Sequence, residues 1–232
     1  MTKIKKKVVA LLPMKANSQR VKGKNFKNFN GKPLFKWVLD TLLSIDCISK
    51  VVINTDARNI IMNNGIIENN KIIIRDRPTE ICGDSVSMNR IIKNDIDNIE
   101  ADAYLMTHTT NPLIQKETIE KAITSYNNKL ELGYDSLFSV NKIQTRFYDI
   151  NCKPINHDLN NLIQTQDLEP WFEENSNLYI FSKNSFNLTN NRIGKNPHMF
   201  ISDPLESYDI DEPSDWELAE LRAKNFYNMK SK

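Results

Sequence analysis

The chain has 232 residues, with 31 Lys and Arg against 29 Asp and Glu, a net charge of +2, and 40% hydrophobic residues. That length fits one large α/β domain over 1–232. The near balance of charge excludes a globally basic nucleic-acid surface, so anion binding must be local. No stretch approaches the roughly 18–20 apolar residues of a membrane span. The basic start MTKIKKK precedes an apolar run shorter than the roughly 7–15 residues of a secretory h-region. Cys47, Cys82 and Cys152 are far apart and lack metal-ligand spacing, which reads as reduced thiols in a cytoplasmic protein.

In chain order, Val8 to Leu12 is a short apolar run ending at Pro13, and reads as a buried strand. A polar loop follows, carrying Lys15, Asn17, Ser18, Gln19, Arg20, Lys22, Lys24 and Asn25. The turn Asn30-Gly31-Lys32-Pro33 then leads to Leu34, Val38, Leu42 and Ile45 at helical spacing. Lys50 to Asp56 is the second strand, Ala57 to Asn64 a short helix stopped by Gly65, and Lys71 to Ile74 the third strand. Arg77 to Ser85 turns into an amphipathic helix with Ile91, Ile92, Ile96 and Ile99 on one face and Asp84 as its expected N-cap.

Ala103 to Thr107 is a fourth strand running into His108-Thr109-Thr110-Asn111-Pro112, followed by a helix from Gln115 to Leu130. Ser136 to Val140 is a fifth strand. The alternation then breaks over about 141–176, which reads as an extended arm with an antiparallel hairpin near Asn151 to Pro154. Leu178 to Ser182, Phe200 to Ser202 and Ser207 to Ile210 are further strand candidates, and Pro213 opens a closing helix through about Tyr227. Alternating strands and helices predict an α/β, mostly parallel sheet covered on both faces.

In such a sheet, loops at the carboxyl ends of strands form the ligand crevice. Four cations in the first loop suit a polyanion such as a nucleoside triphosphate. The loop lacks both G-x-G-x-x-G and G-x-x-x-x-G-K-[ST], so the dinucleotide and P-loop readings lose their fingerprints. A solvated basic loop is the alternative. Near the C-terminus, Asp209 and Asp211 on one strand would point to the same face and could share Mg²⁺. Alternatively, Asp211 caps the helix at Pro213 and Asp209 is solvated. Arg77 and Glu80 could be a simple surface pair.

The order Pro13, Lys15, Ser18, Arg20, Lys24-Asn25 and Asn30-Gly31-Lys32-Pro33-Leu34 resembles the signature of the sugar-acid cytidylyltransferases, the acylneuraminate family and its relatives. Arg77-Pro78-x-Glu80 with Asp84-Ser85, and Ser207-x-Asp209-Ile210-Asp211-x-Pro213-x-Asp215, resemble two more of that family's segments. The resemblance covers essentially the whole chain. It implies a three-layer, nucleotide-diphospho-sugar-transferase-like fold of the GT-A or Rossmann-like kind. It also implies CTP and a 2-keto-3-deoxy sugar acid as substrates, pyrophosphate as product, Mg²⁺ as cofactor, and a homodimer formed through the arm.

On this resemblance Lys15, Asn17, Ser18, Arg20, Lys24, Asn25, Arg77 and Asp84 surround the nucleotide. Arg20, Lys24, Asp209 and Asp211 carry catalysis, with the two aspartates on the metal. His108, Thr110, Asn111, Gln166 and Tyr179 face the sugar acid. The family usually has Arg at Lys15 and small residues at Ala16 and Asn17. On the acid side the departures are larger: His108 stands for Gln, Thr165 for the arginine that meets the substrate carboxylate, and Ser176 for Gly. Arg146 and His157 stand as candidates for the missing charge. Two rival classes are a metal-dependent nucleotide-sugar glycosyltransferase and a non-catalytic nucleotide-binding relative.

Overall fold

A computed structural model describes residues 7–230, with side chains described through Lys224. The basic start at residues 1–6 lies outside the described residues. Strand β1 (Val8–Leu11) is wholly buried because its alternate residues serve two cores. Val8 and Ala10 face one layer, with α1 (Leu34–Leu43) and α4 (Lys116–Leu130). Val9 and Leu11 face the other, with α3 (Met88–Asn98) and α5 (Lys183–Thr189). This two-residue alternation makes the three layers.

After β1 come the two-residue strands β2 (Asn28–Phe29) and β3 (Lys32–Pro33), which form a small ribbon at the predicted turn. The main sheet adds β4 (Ile48–Thr55), β5 (Ile72–Asp76), β6 (Ala103–Met106), β7 (Ser136–Ile143), β8 (Trp171–Phe181) and β9 (Pro197–Ile201). Helix α2 (Arg58–Asn63) joins β4 to β5, with Gly65 at positive φ beyond its end, as the sequence predicted. The order is β5-β4-β1-β6-β8-β7-β9, and β8 alone runs against the others.

A bulge interrupts β7–β8 pairing, with Phe138 opposite Tyr179 but Val140 opposite Glu174. The extra residues of β8 include Ser176, whose φ of 55° lies in the left-handed region that glycine adopts without strain. Ser139 fastens the bulge, donating to Asn175 Oδ1 at 2.6 Å and accepting from Leu178 N at 2.8 Å. The arm's two ends are therefore strands, and irregular chain is confined between Ile143 and Trp171. The expected hairpin is present: Tyr148 bridges Pro154 and Ile155 N donates to Phe147 O at 2.9 Å.

Two sequence expectations are corrected. Ser207 to Ile210 is not a strand, so Asp209 and Asp211 do not share a strand face. Its polar backbone instead docks on neighbouring loops, with Ile210 N donating to Thr110 O at 3.0 Å. Helix α6 (Pro213–Lys230) presents Trp216, Ala219 and Ala223 to a third core with Val21, Phe29, Leu34 and Ile210. Its N-terminal cap is Asp215 reaching back, not Asp211: one Asp215 oxygen accepts from Asp211 N at 3.0 Å and from Glu212 N at 2.7 Å. No helix among the described residues is long and apolar enough to cross a membrane.

Candidate functional site

The carboxyl ends of β1, β5 and β6 open into a cavity of about 440 Å³. Lys15, Ser18, Arg20, Lys24, Asn25, Arg77, Asp84, His108, Thr110 and Asp211 all line it, joining ten residues named from sequence. Gly23, at φ 59°, turns the loop into a 3-10 turn over Lys24–Phe26 that carries Lys24 inward. Lys24 Nζ donates to the Ile210 carbonyl at 2.5 Å and lies 3.3 Å from Asp211. Arg20 bridges Asp211 at 2.9 Å and Glu212 at 3.1 Å, which raises its already high pKa further, the Glu212 bond contributing most. The loop and the C-terminal tract thus form one cationic wall.

Asp84 is not a helix cap. Ser87 caps α3 by accepting from Asn89 N, while Asp84 binds Lys15 and Gln19. The hydrogen bond from Lys15 holds the Asp84 carboxyl below the usual range. Arg77 does not pair with Glu80. Its Nε donates to Asn54 Oδ1 at 2.8 Å and its Nη2 to the carbonyls of Met14 at 3.1 Å and Asn54 at 2.9 Å. Burial lowers its pKa. Asn25 also works inward, donating to Lys15 O at 2.8 Å and accepting from Thr109 at 2.6 Å, so it shapes the loop.

Five named residues fall outside this cavity. Asn17 lies on a shallower cleft beside Lys22 and Gly23. Asn111 is fully buried with neither amide atom hydrogen-bonded. Gln166 is exposed on the turn Thr165–Asp167 and bonds Gln164. Tyr179 is buried in the α3/α5 core with its hydroxyl on Glu174. Asp209 sits behind the wall, held by the Thr110 side chain. Burial raises its pKa, and its Oδ1 is buried without a partner.

That orphaned oxygen, next to the cavity-lining Asp211, is the observation that fits a hard cation. Two carboxylates with phosphate and water oxygens are a Mg²⁺-type donor set. Among the described residues no group of three or more His, Cys, Asp or Glu could hold a metal without substrate oxygens.

His108 is half-buried on the cavity wall. Its surroundings push its pKa down to about 4, desolvation first and Arg192 next, so the ring is neutral at pH 7. Sequence reasoning missed the support under Arg77: Asp95, 1% exposed, accepts from Asn54 Nδ2 at 2.8 Å and from Arg75 Nε at 3.0 Å. The polar end of β4 was its only trace. It also missed Arg192, whose neighbourhood carries no motif.

A cation-lined crevice at the strand ends of a mostly parallel three-layer sheet defines a nucleotide-handling α/β protein of the nucleotidyltransferase kind. The model of one family, described as Cytidylyltransferase, matches residues 9–230, and the chain belongs to that family of CTP-dependent nucleotidyltransferases.

Among curated relatives, the chain is 26% identical over 231 residues to the CMP-N,N'-diacetyllegionaminic acid synthase of Legionella pneumophila, covering 92% of this chain and 95% of that protein. It is 23% identical to the N-acylneuraminate cytidylyltransferase of Escherichia coli, covering 92% of this chain and 51% of that one. Among solved structures, CMP:2-keto-3-deoxy-manno-octonic acid synthetase complexed with CTP superposes with a TM-score of 0.62 at 14% identity, over 96% of this chain and 99% of that one. The 4-diphosphocytidyl-2C-methyl-D-erythritol synthase of Anaerococcus prevotii gives 0.66 at 11%, over 95% and 100%. At these identities the structural likeness establishes the fold.

Proposed function

We propose that the protein transfers CMP from CTP to a 2-keto-3-deoxy sugar acid, releasing pyrophosphate in the cytoplasm. The observation that carries this reading is the wall formed by Lys15, Arg20 and Lys24 with Asp211 at the carboxyl end of β1. The names of the relatives support a sugar acid as the acceptor.

Lys15, Ser18, Arg20 and Lys24 bind the triphosphate, the three cations exchanging their present carboxylate partners for phosphate oxygens. Asn25 and Arg77 fix the loop and β4 end that meet the nucleoside. An acceptor hydroxyl forms the new O–P bond at the α-phosphorus as the bond to the pyrophosphate oxygen breaks, and its proton leaves to solvent. Such a transfer needs positioning and charge neutralisation more than covalent help. Asp209 and Asp211 would hold Mg²⁺, which supplies charge neutralisation at the α-phosphate and a more acidic attacking hydroxyl. His108, being neutral, adds no charge to the acceptor side.

The arm is proposed to form a homodimer. Exposed Ile150, Ile155, Leu159, Leu162 and Trp171 give it an apolar surface.

Incubating the protein with each NTP, Mg²⁺ and a panel of sugar acids, and assaying pyrophosphate, tests the reading. Acid-dependent release with CTP supports it. Turnover of a nucleotide-sugar without pyrophosphate would replace it with a glycosyltransferase, and binding without turnover would leave a non-catalytic relative.

A further inference from the structure

A second cavity of about 330 Å³ adjoins the first, with Met88 lining both. Its one cation is Arg192, on the segment after α5, facing Glu174 and the start of α3 at Ser87 and Asn89. The guanidinium carbon lies over the Tyr179 ring, 3.9 Å from its centroid. Its Nη2 donates to the Tyr179 hydroxyl at 2.9 Å and lies 3.5 Å from Glu174 Oε1. The group is held from beneath by stacking and from one side by two oxygens. Among the described residues Nε and Nη1 make no hydrogen bond and Nη2 uses one of its two N–H groups on Tyr179, so one two-donor edge, made by the other Nη2 hydrogen with Nε or Nη1, is left for an incoming group.

The bulge in β8 creates this arrangement. Glu174 and Tyr179 are an odd number of positions apart and would point to opposite faces of a regular strand. The extra residues around Ser176 put them on one side, where the Tyr179 hydroxyl meets Glu174 and both meet Arg192. Arg192 also acts on the first cavity, since its charge helps keep His108 neutral. The other side chains considered for this role bond within the arm: Arg146 donates from Nη2 to Ile163 O at 2.7 Å, its Nε being buried without a partner there, and His157 bonds Tyr148.

We infer that Arg192, stacked on Tyr179 and braced by Glu174, is the residue that receives the carboxylate of the acceptor, with the second cavity as the acceptor's seat beside the nucleotide. This inference rests on the proposed transfer to a sugar acid. A carboxylate matches the open guanidinium edge bidentately, which lysine or a neutral side chain cannot do. Glu174 on the same wall accepts hydroxyl or amide donors and disfavours a second anionic group, so the pocket selects a mono-anionic, polyhydroxylated acid.

The test uses pyrophosphate release with CTP and three acids, N,N'-diacetyllegionaminate, pseudaminate and 3-deoxy-manno-octulosonate, each beside its C1-carboxamide. With the best acid, Arg192→Gln is expected to raise the acid KM about tenfold or more. It should also collapse the preference for acid over carboxamide while leaving CTP affinity by calorimetry unchanged. Arg192→Lys is expected to recover only part of that preference, and it serves as the reading if Arg192→Gln melts early. An acid KM and an acid-to-carboxamide ratio equal to wild type in the folded variant would overturn the inference while the transfer reading stands. Failure of wild type to turn over any acid overturns the transfer reading itself, and this inference with it.

Discussion

Lys24 Nζ lies 3.3 Å from Asp211 Oδ1 although 187 positions separate the two residues. The same ammonium donates to the Ile210 carbonyl, so a buried cation ties the first loop to the tract before α6. Removing that charge leaves a buried carbonyl without its donor. Lys24→Met is expected to lower both the melting temperature and CTP affinity. Paired thermal and calorimetric measurements in which either stays at wild type would separate the two roles assigned to Lys24.

Arg20 is the contrasting case. Its side chain is 55% exposed, so its ion pairs do little for the fold. Arg20→Ala is expected to weaken CTP binding about tenfold, the worth of one charge-assisted contact, with little change in melting temperature. Equal CTP affinities in calorimetry would remove the first loop from the nucleotide site.

The aspartates of the C-terminal tract separate by role. Asp215 makes the cap, so Asp215→Ala is expected to cost about 1 kcal/mol of stability, read by urea denaturation. Asp211→Asn keeps that cap and should fold normally while kcat falls, because charge stabilisation matters most where charge develops. Asp209→Asn should lower kcat as well. If both folded variants keep full Mg²⁺-dependent turnover, the metal is not held here.

Asp95 gives a pH dependence of known sign. Burial raises its pKa to about 6, partly offset by Asn54 and Arg75, so the folded protein binds this proton more tightly than the unfolded chain does. Its contribution to stability is therefore fully present below the unfolded value near 3.8, and is lost as pH rises through about 6. The loss is on the order of 2–3 kcal/mol. Asp95→Asn should flatten the stability profile between pH 4 and 6. Denaturation curves at pH 4, 5, 6 and 7 check this, and an unchanged slope in the variant would assign the pH dependence elsewhere.

His108 is expected to leave no mark on the rate profile. With its pKa near 4, kcat/KM measured from pH 6 to 8 should show no limb from this ring. His108→Gln should keep the profile's shape. A limb near pH 6.5 that vanishes in the variant would show that the ring titrates during turnover.

How much of this was legible in the sequence follows from which interactions are local. The strand–loop–helix at Val8 to Leu43 was readable because its apolar alternation, its cluster of cations and its turn all lie in consecutive residues. The partners of those cations were not. Lys24 meets Ile210 and Lys15 meets Asp84 only through the sheet order, which periodicity does not encode. The Asp209-x-Asp211 spacing suggested a strand because a strand puts alternate residues together. What holds the segment is instead a hydrogen bond to Thr110 and the Trp216 core, both distant in sequence. Arg192 carried no signal, since its role comes from a bulge in another strand.

The solitary reversed strand also sets a schedule. β6 emerges from synthesis with one side on β1, and its other partner, β8, begins only at Trp171. All four residues of β6 are buried in the finished molecule. Until β8 arrives, that side is an apolar edge with unmet backbone groups, the template on which strands of separate chains join. A nascent chain halted before Tyr179 still carries that open edge. β8 is the piece that seals the growing protein as well as the piece that shapes its second cavity.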